Sequence, residues 1–123
     1  MKIKVSNSEA LALAMLFKSC ADKYMQAIQY QHQQQCLYDA ANSKPHQLQV
    51  SDEHVYLGIF QELWMKLQRK IFETKKQYTI SLRPHEAAAI HVEFAGIVSL
   101  ATYEGMLLHN LCNHIHKQIT SAL

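Results

Sequence analysis

With 123 residues, 12 Lys and Arg against 10 Asp and Glu, and a net charge of +2 with the histidines neutral, the chain can bury one core but has little room for a second domain. So small a cationic excess gives no general argument for nucleic acid or an anionic membrane as partner. Three Gly and two Pro leave little material for turns, which disfavours all-β and parallel α/β folds and favours long helices with few connections.

The chain opens on Lys2-Ile3-Lys4-Val5, a short alternating segment that can pair as a strand. The apolar stretch after it, Ala10 to Phe17, is bracketed by Glu9 and Lys18 and lacks a small-residue cleavage site, so a secretory leader is not expected. Ser6 and Glu9 form a Ser-x-x-Glu capping box, in which each side chain satisfies a backbone donor at a helix start. The first helix then buries Ala10, Leu13, Phe17, Cys20, Tyr24, Ile28 and Leu37, with Met15, Leu16 and Met25 on its flank. Its far end fades into the polar run from Gln29 to Gln35. The segment 42–50 is the main loop, with Pro45 as the stop.

Ser51 followed by Asp52 and Glu53 caps a second helix, where acids in the first turn suit the helix dipole. This connecting helix runs to about Lys75 within 51–76, burying Tyr56, Ile59, Phe60, Leu63, Leu67 and Ile71 beside Leu57 and Trp64.

Residues 2–17 are echoed 77 positions later by residues 79–94, and the longer units 2–43 and 79–120 read as an internal repeat. Pro84 falls at the first helical position, where a missing N–H costs nothing, and Glu86 matches Glu9. A third helix from Pro84 to about Thr120 carries Ile90, Phe94, Ile97, Ala101, Leu108, Leu111, Ile115 and Ile119 as its stripe. Gly96 and Gly105 mark a bend or a close crossing, and between Ala101 and Leu108 only Glu104 or Gly105 can face inward. The longest apolar region, Ala87 to Leu108, contains His91, Glu93 and Glu104 and is not a membrane span. The expectation is a mainly α single domain, 1–123. It is an up-down-up bundle of three long helices with a minor two-stranded β ribbon formed by the segments preceding helices one and three.

Three constellations invite a chemical reading. With helices one and three side by side, His32 and His109 stand at equivalent positions, and Cys36, Cys112 and His116 follow at helical offsets. Imidazole and thiolate are the donors zinc prefers, and His46 and His54 are expected near the same end; unpaired Cys is also a common small core residue. The second constellation is electrostatic. Lys2, Lys4, Lys66, Arg69, Lys70, Lys75, Lys76 and Arg83 gather at the strand end, a footprint for phosphate contacts. The third, His85-Glu86 and His91-x-Glu93, comprises acid/base pairs with no nucleophile beside them.

The cysteines, Cys20, Cys36 and Cys112, are odd in number and lie inside predicted helices, which suits a reduced, cytoplasmic setting better than a disulfide framework. Long apolar-striped helices and adaptable methionines, with no convergent reactive set, lead to a non-enzymatic module that self-associates as a homodimer or binds a protein partner, without cofactor or membrane. Nucleic-acid binding through the basic pole is the first alternative, and a His/Cys metal-binding bundle the second.

Overall fold

A computed structural model describes residues 1–43, 45, 51–94 and 102–122, the side chains of Glu104 and of 118–122 excepted. It is mainly helical with one two-stranded antiparallel sheet, in the order β1 (Lys2–Ser6), α1 (Asn7–Ala41), α2 (Asp52–Ile71), β2 (Gln77–Ser81), α3 (Pro84–Phe94) and α4 (Tyr103–Ala122).

The capping box at Ser6 forms as its residue types require. The Ser6 Oγ accepts the Glu9 N–H at 3.3 Å and a Glu9 carboxylate oxygen accepts the Ser6 N–H at 3.2 Å. The echoed position does the same work, since the Arg83 N–H donates to the Glu86 carboxylate at 2.9 Å. At α2, His54 takes the place of the usual acid, and its Nδ1 receives the Ser51 N–H at 3.1 Å.

Helices α1 and α2 pack antiparallel. The Lys18 ammonium lies 5.6 Å from the Trp64 ring centre, Tyr24 stacks on Tyr56 at 5.5 Å, and Gln31 donates to Glu53 at 3.4 Å. The ring of Phe60, fully buried, meets Phe17 at 6.0 Å on one side and Phe94 edge-on at 6.2 Å on the other. This aromatic run joins α1, α2 and α3 at mid-height, and such pairs add to the gain from burial alone. Val5, Tyr78, Ile80 and Leu82 are buried from the ribbon side, while Lys2, Lys4 and Thr79 alternate outward.

The ribbon pairs Lys2 with Ser81 and Ser6 with Gln77. Its antiparallel sense places the start of α1 beside Gln77 and the start of α3 beyond Ser81, at opposite ends of the ribbon. The two helix starts are therefore not level. Glu93 of α3 bonds Tyr24 and Lys23 of α1, 69 and 70 residues apart rather than 77.

Several expectations need correction. The third helix is two, because the Thr102 Oγ accepts the Gly105 N–H at 3.0 Å and opens α4 afresh; a Thr at a helix start satisfies a donor that a continuous helix would use. Of its expected stripe, Leu108, Leu111 and Ile115 are buried and so is Gly105, whereas Gly96, Ile97, Ala101 and the side chains of Glu104 and Ile119 lie outside the described residues. The described residues thus hold four helices, not three. Helix α2 stops at Ile71 rather than near Lys75, since the Tyr78 hydroxyl accepts the Lys75 N–H at 3.0 Å and donates to the Ile71 carbonyl, and Thr74 turns left-handed at φ 47°. Helix α1, by contrast, ends at Ala41, in line with a loop opening at residue 42; Ser43 has φ 54° and the Asn42 side chain donates to the Tyr38 carbonyl. Leu37, expected on the buried stripe, is 66% exposed, because α1 continues about ten residues past the point where Gln31 meets the first turn of α2.

The carboxylate of Glu86, buried to 1% exposure, accepts the Lys66 ammonium at 2.8 and 3.1 Å, and Lys66 also donates to the Ser81 carbonyl at 2.8 Å. Lys66→Ala is expected to destabilise the fold by about 2 kcal/mol, below the range for a fully buried pair because the Lys66 side chain is partly exposed and water can reach the carboxylate it leaves. The double replacement Lys66→Met with Glu86→Leu is expected to recover part of that loss, as urea denaturation would measure.

Candidate functional site

The five proposed metal donors do not meet. Cys36 and His32, one helical turn apart on α1, share a 3.6 Å hydrogen bond. His109 pairs with Asn113 at 3.1 Å within α4, and His116 stacks on His91 at 6.1 Å. On either side of His109, Leu107, Leu111 and His114 line a cleft with Lys2, Lys4 and Leu13. His109 thus stands near the ribbon end of α1, and His32 lies 19 residues beyond Leu13, about 28 Å along the helix. The equal height inferred from the 77-residue offset fails because the echo does not continue as one helix. No group of three or more His, Cys, Asp or Glu among the described residues could hold a metal ion. His54 serves the α2 cap, and His46 lies outside the described residues.

Of the basic residues expected at the strand end, two are paired with carboxylates. Lys66 is held by Glu86 and Lys75 pairs with Glu73 at 3.2 Å. Lys2, Lys4, Arg69, Lys76 and Arg83 are exposed and Lys70 is half-buried. The backbone carbonyl of Lys76 accepts the Asn7 N–H at 3.2 Å.

A polar cluster at the α1–α3 contact unites residues that spacing could not connect. Glu93 accepts hydrogen bonds from Lys23 on one oxygen and from the Tyr24 hydroxyl on the other. Burial pulls the Glu93 carboxyl upward, and the bonds from Lys23 and Tyr24 outweigh it, holding the carboxyl below its ordinary range. Burial, with the Glu93 carboxylate beside it, raises the Tyr24 phenol above its ordinary value. The Cys20 thiol is pushed up to about 11 by burial and then by Glu93. The shifts at Tyr24 and Cys20 keep a proton on each potential nucleophile, the reverse of activation. The sequence signal for this cluster was only an isolated His91-x-Glu93 pair.

A second arrangement lies on the side of the α1–α2 hairpin away from Phe94 and Glu86. Leu11, Lys18 and Met25 are spaced by seven on α1, as are Leu57, Trp64 and Ile71 on α2. Carrying the Lys18–Trp64 contact one heptad each way sets Leu11 opposite Ile71 and Met25 opposite Leu57. Leu57, Trp64 and Ile71 are half-buried, while Leu11, Met15 and Met25 are exposed, Met15 to 73%. Among these positions Lys18 and Asp22 carry the charge, with Gln26 and Gln61 as neutral polar neighbours. This open apolar face is the candidate site; the seven-residue spacing on both helices was its sequence signal.

Two outcomes are expected of the buried polar groups. A carboxyl held below its ordinary range stabilises the fold above that range, and the contribution is lost as pH falls through the depressed folded value. The urea midpoint is therefore expected to drop between about pH 6 and about pH 3, and to drop less in Glu93→Gln. In the native protein a chromogenic disulfide reagent is expected to modify Cys36 ahead of Cys20 and Cys112, both buried with raised thiols, and all three together in denaturant. Comparison with protein-family models, with curated proteins and with solved structures returns no match for this chain.

Proposed function

We propose that the chain is a non-enzymatic helical module that self-associates as a homodimer through the open face of the α1–α2 hairpin, in a reduced, cytoplasmic setting. The observation that carries this reading is the exposure of Leu11, Met15 and Met25 beside the half-buried heptad Leu57, Trp64 and Ile71. An apolar stripe of this kind on two neighbouring helices gains most when a further pair of helices covers it.

The charge pattern favours a second copy over an unlike partner. Lys18 and Asp22 lie one turn apart on the same face, and a twofold axis between them sets each lysine against the other copy's aspartate, the self-complementarity an isologous contact needs. Methionine tolerates imperfect fit at such a surface. The three free cysteines support the reduced setting. Among the described residues no helix is long and apolar enough to cross a membrane.

Sedimentation analysis of the full chain is expected to show a concentration-dependent dimer. Met15→Glu with Met25→Glu, both at exposed positions, is expected to leave helix content unchanged while weakening dimerisation at least tenfold. A strict monomer at high micromolar concentration would overturn the proposal.

A further inference from the structure

Among the described residues the outer edge of β1 pairs with no strand, and residues of β1 line a cleft. Met1 and Leu82 exchange backbone hydrogen bonds, with the Leu82 N–H to Met1 carbonyl at 2.7 Å and the Met1 amino group to the Leu82 carbonyl at 3.3 Å. Six positions further along each strand, the Asn7 N–H donates to the Lys76 carbonyl at 3.2 Å. In an antiparallel pair the bonded positions alternate, so Met1, Ile3, Val5 and Asn7 direct their backbone groups at β2. Lys2 and Lys4 direct theirs away from it, toward the side where no strand stands among the described residues.

Residues of α4 face those of β1 across a cleft. Between β1 and α4 runs an open cleft of 440 Å³, within the range of about 300–1,000 Å³ that small-molecule sites span. Its floor is apolar, built from Ile3, Val5 and Leu13 on one wall and Leu107 and Leu111 on the other. Lys2 and Lys4 form its lip, and both side chains are exposed. The carboxylate of Glu9, at the Ser6 end of the cleft, is engaged by the Ser6 N–H. Negative charge therefore lies at one end of the strand and positive charge toward the other.

We infer that the cleft between β1 and α4 binds a single-chain anionic amphiphile. Its tail lies over Leu13, Leu107 and Leu111, and its head group meets the ammonium and outward N–H groups of Lys2 and Lys4. An apolar floor alone would accept any hydrocarbon; the lysine lip and the two outward amide donors select a head with negative oxygens. A carboxylate and a phosphate monoester share this chemistry. Asn110 and His114, also on the cleft wall, offer further polar contacts to the head.

The test titrates the full chain with sodium decanoate, decyl phosphate and decanol in separate calorimetric experiments, each below its aggregation threshold, with amide chemical shifts recorded alongside. Saturable one-to-one binding is expected for the anionic probes, at least tenfold tighter than for decanol, with shifts at 2–5 and 107–114. Tighter binding of decanoate assigns the head as a carboxylate, and tighter binding of decyl phosphate assigns it as a phosphate. Lys2→Glu with Lys4→Glu, at exposed positions where folding is undisturbed, is expected to erase the anionic preference and leave decanol binding unchanged. Leu111→Trp is expected to weaken all three probes at least tenfold by filling the floor; the shift map serves where this variant fails to fold. Absence of saturable anion binding, equal affinity of the lysine variant for decanoate, or shifts confined to the α1–α2 face would each overturn the inference.

Discussion

The contact on which most of the structure depends is the ion pair between the buried Glu86 and the half-buried Lys66. One carboxylate ends the first turn of α3, takes the Arg83 amide and receives a lysine from α2 that also reaches the Ser81 carbonyl. Four segments are fastened at one point: the end of β2, the turn after it, the start of α3 and the lower half of α2. A charge buried to this depth tolerates no loose geometry, because its desolvation must be offset by the lysine and the amide together. The helix cannot slide along α2 without breaking both.

From that anchor the packing propagates upward through rings. Phe60 meets Phe17 and Phe94, and Tyr24 stacks on both Tyr56 and Phe60. The Tyr24 hydroxyl then closes onto Glu93. Each of the two carboxylates on α3 thus chooses a different neighbour, Glu86 binding α2 and Glu93 binding α1. With one acid at the base of α3 and one near its top, an eleven-residue helix is held in the groove of a much longer hairpin. The opposite side of that hairpin is left with its heptad-spaced apolar residues uncovered.

Much of this was legible locally and little of it globally. The caps at Ser6, Ser51 and Pro84 could be read because each depends on residues within one turn. The stripe of α2 and the inward set of α1 up to Ile28 followed from the 3.6-residue period. The break before Tyr103 was obscured because apolar residues continue in helical spacing across it, and the Thr102 cap is a weak signal beside two glycines. Leu37 was assigned inward because periodicity reports which residues share a side, not whether anything stands opposite. The pairing of Lys66 with Glu86 and of Lys23 with Glu93 spans 20 and 70 residues, distances at which spacing carries no information. The proposed histidine grouping depended on extending a short echo into two matched long helices, and the antiparallel ribbon shows where that extension failed.

The lysines on β1 have one more consequence, for what the ribbon does not do. A two-stranded sheet ends in open hydrogen-bonding rows, an invitation to indefinite stacking into fibrils. Lys2 and Lys4 stand on the strand whose outer row meets no further strand among the described residues, and two strands of this kind brought together would crowd four ammonium groups at near contact. Like charges facing across such a junction repel. Growth of the sheet from chain to chain is thereby discouraged, and higher assembly is diverted from backbone to side chains.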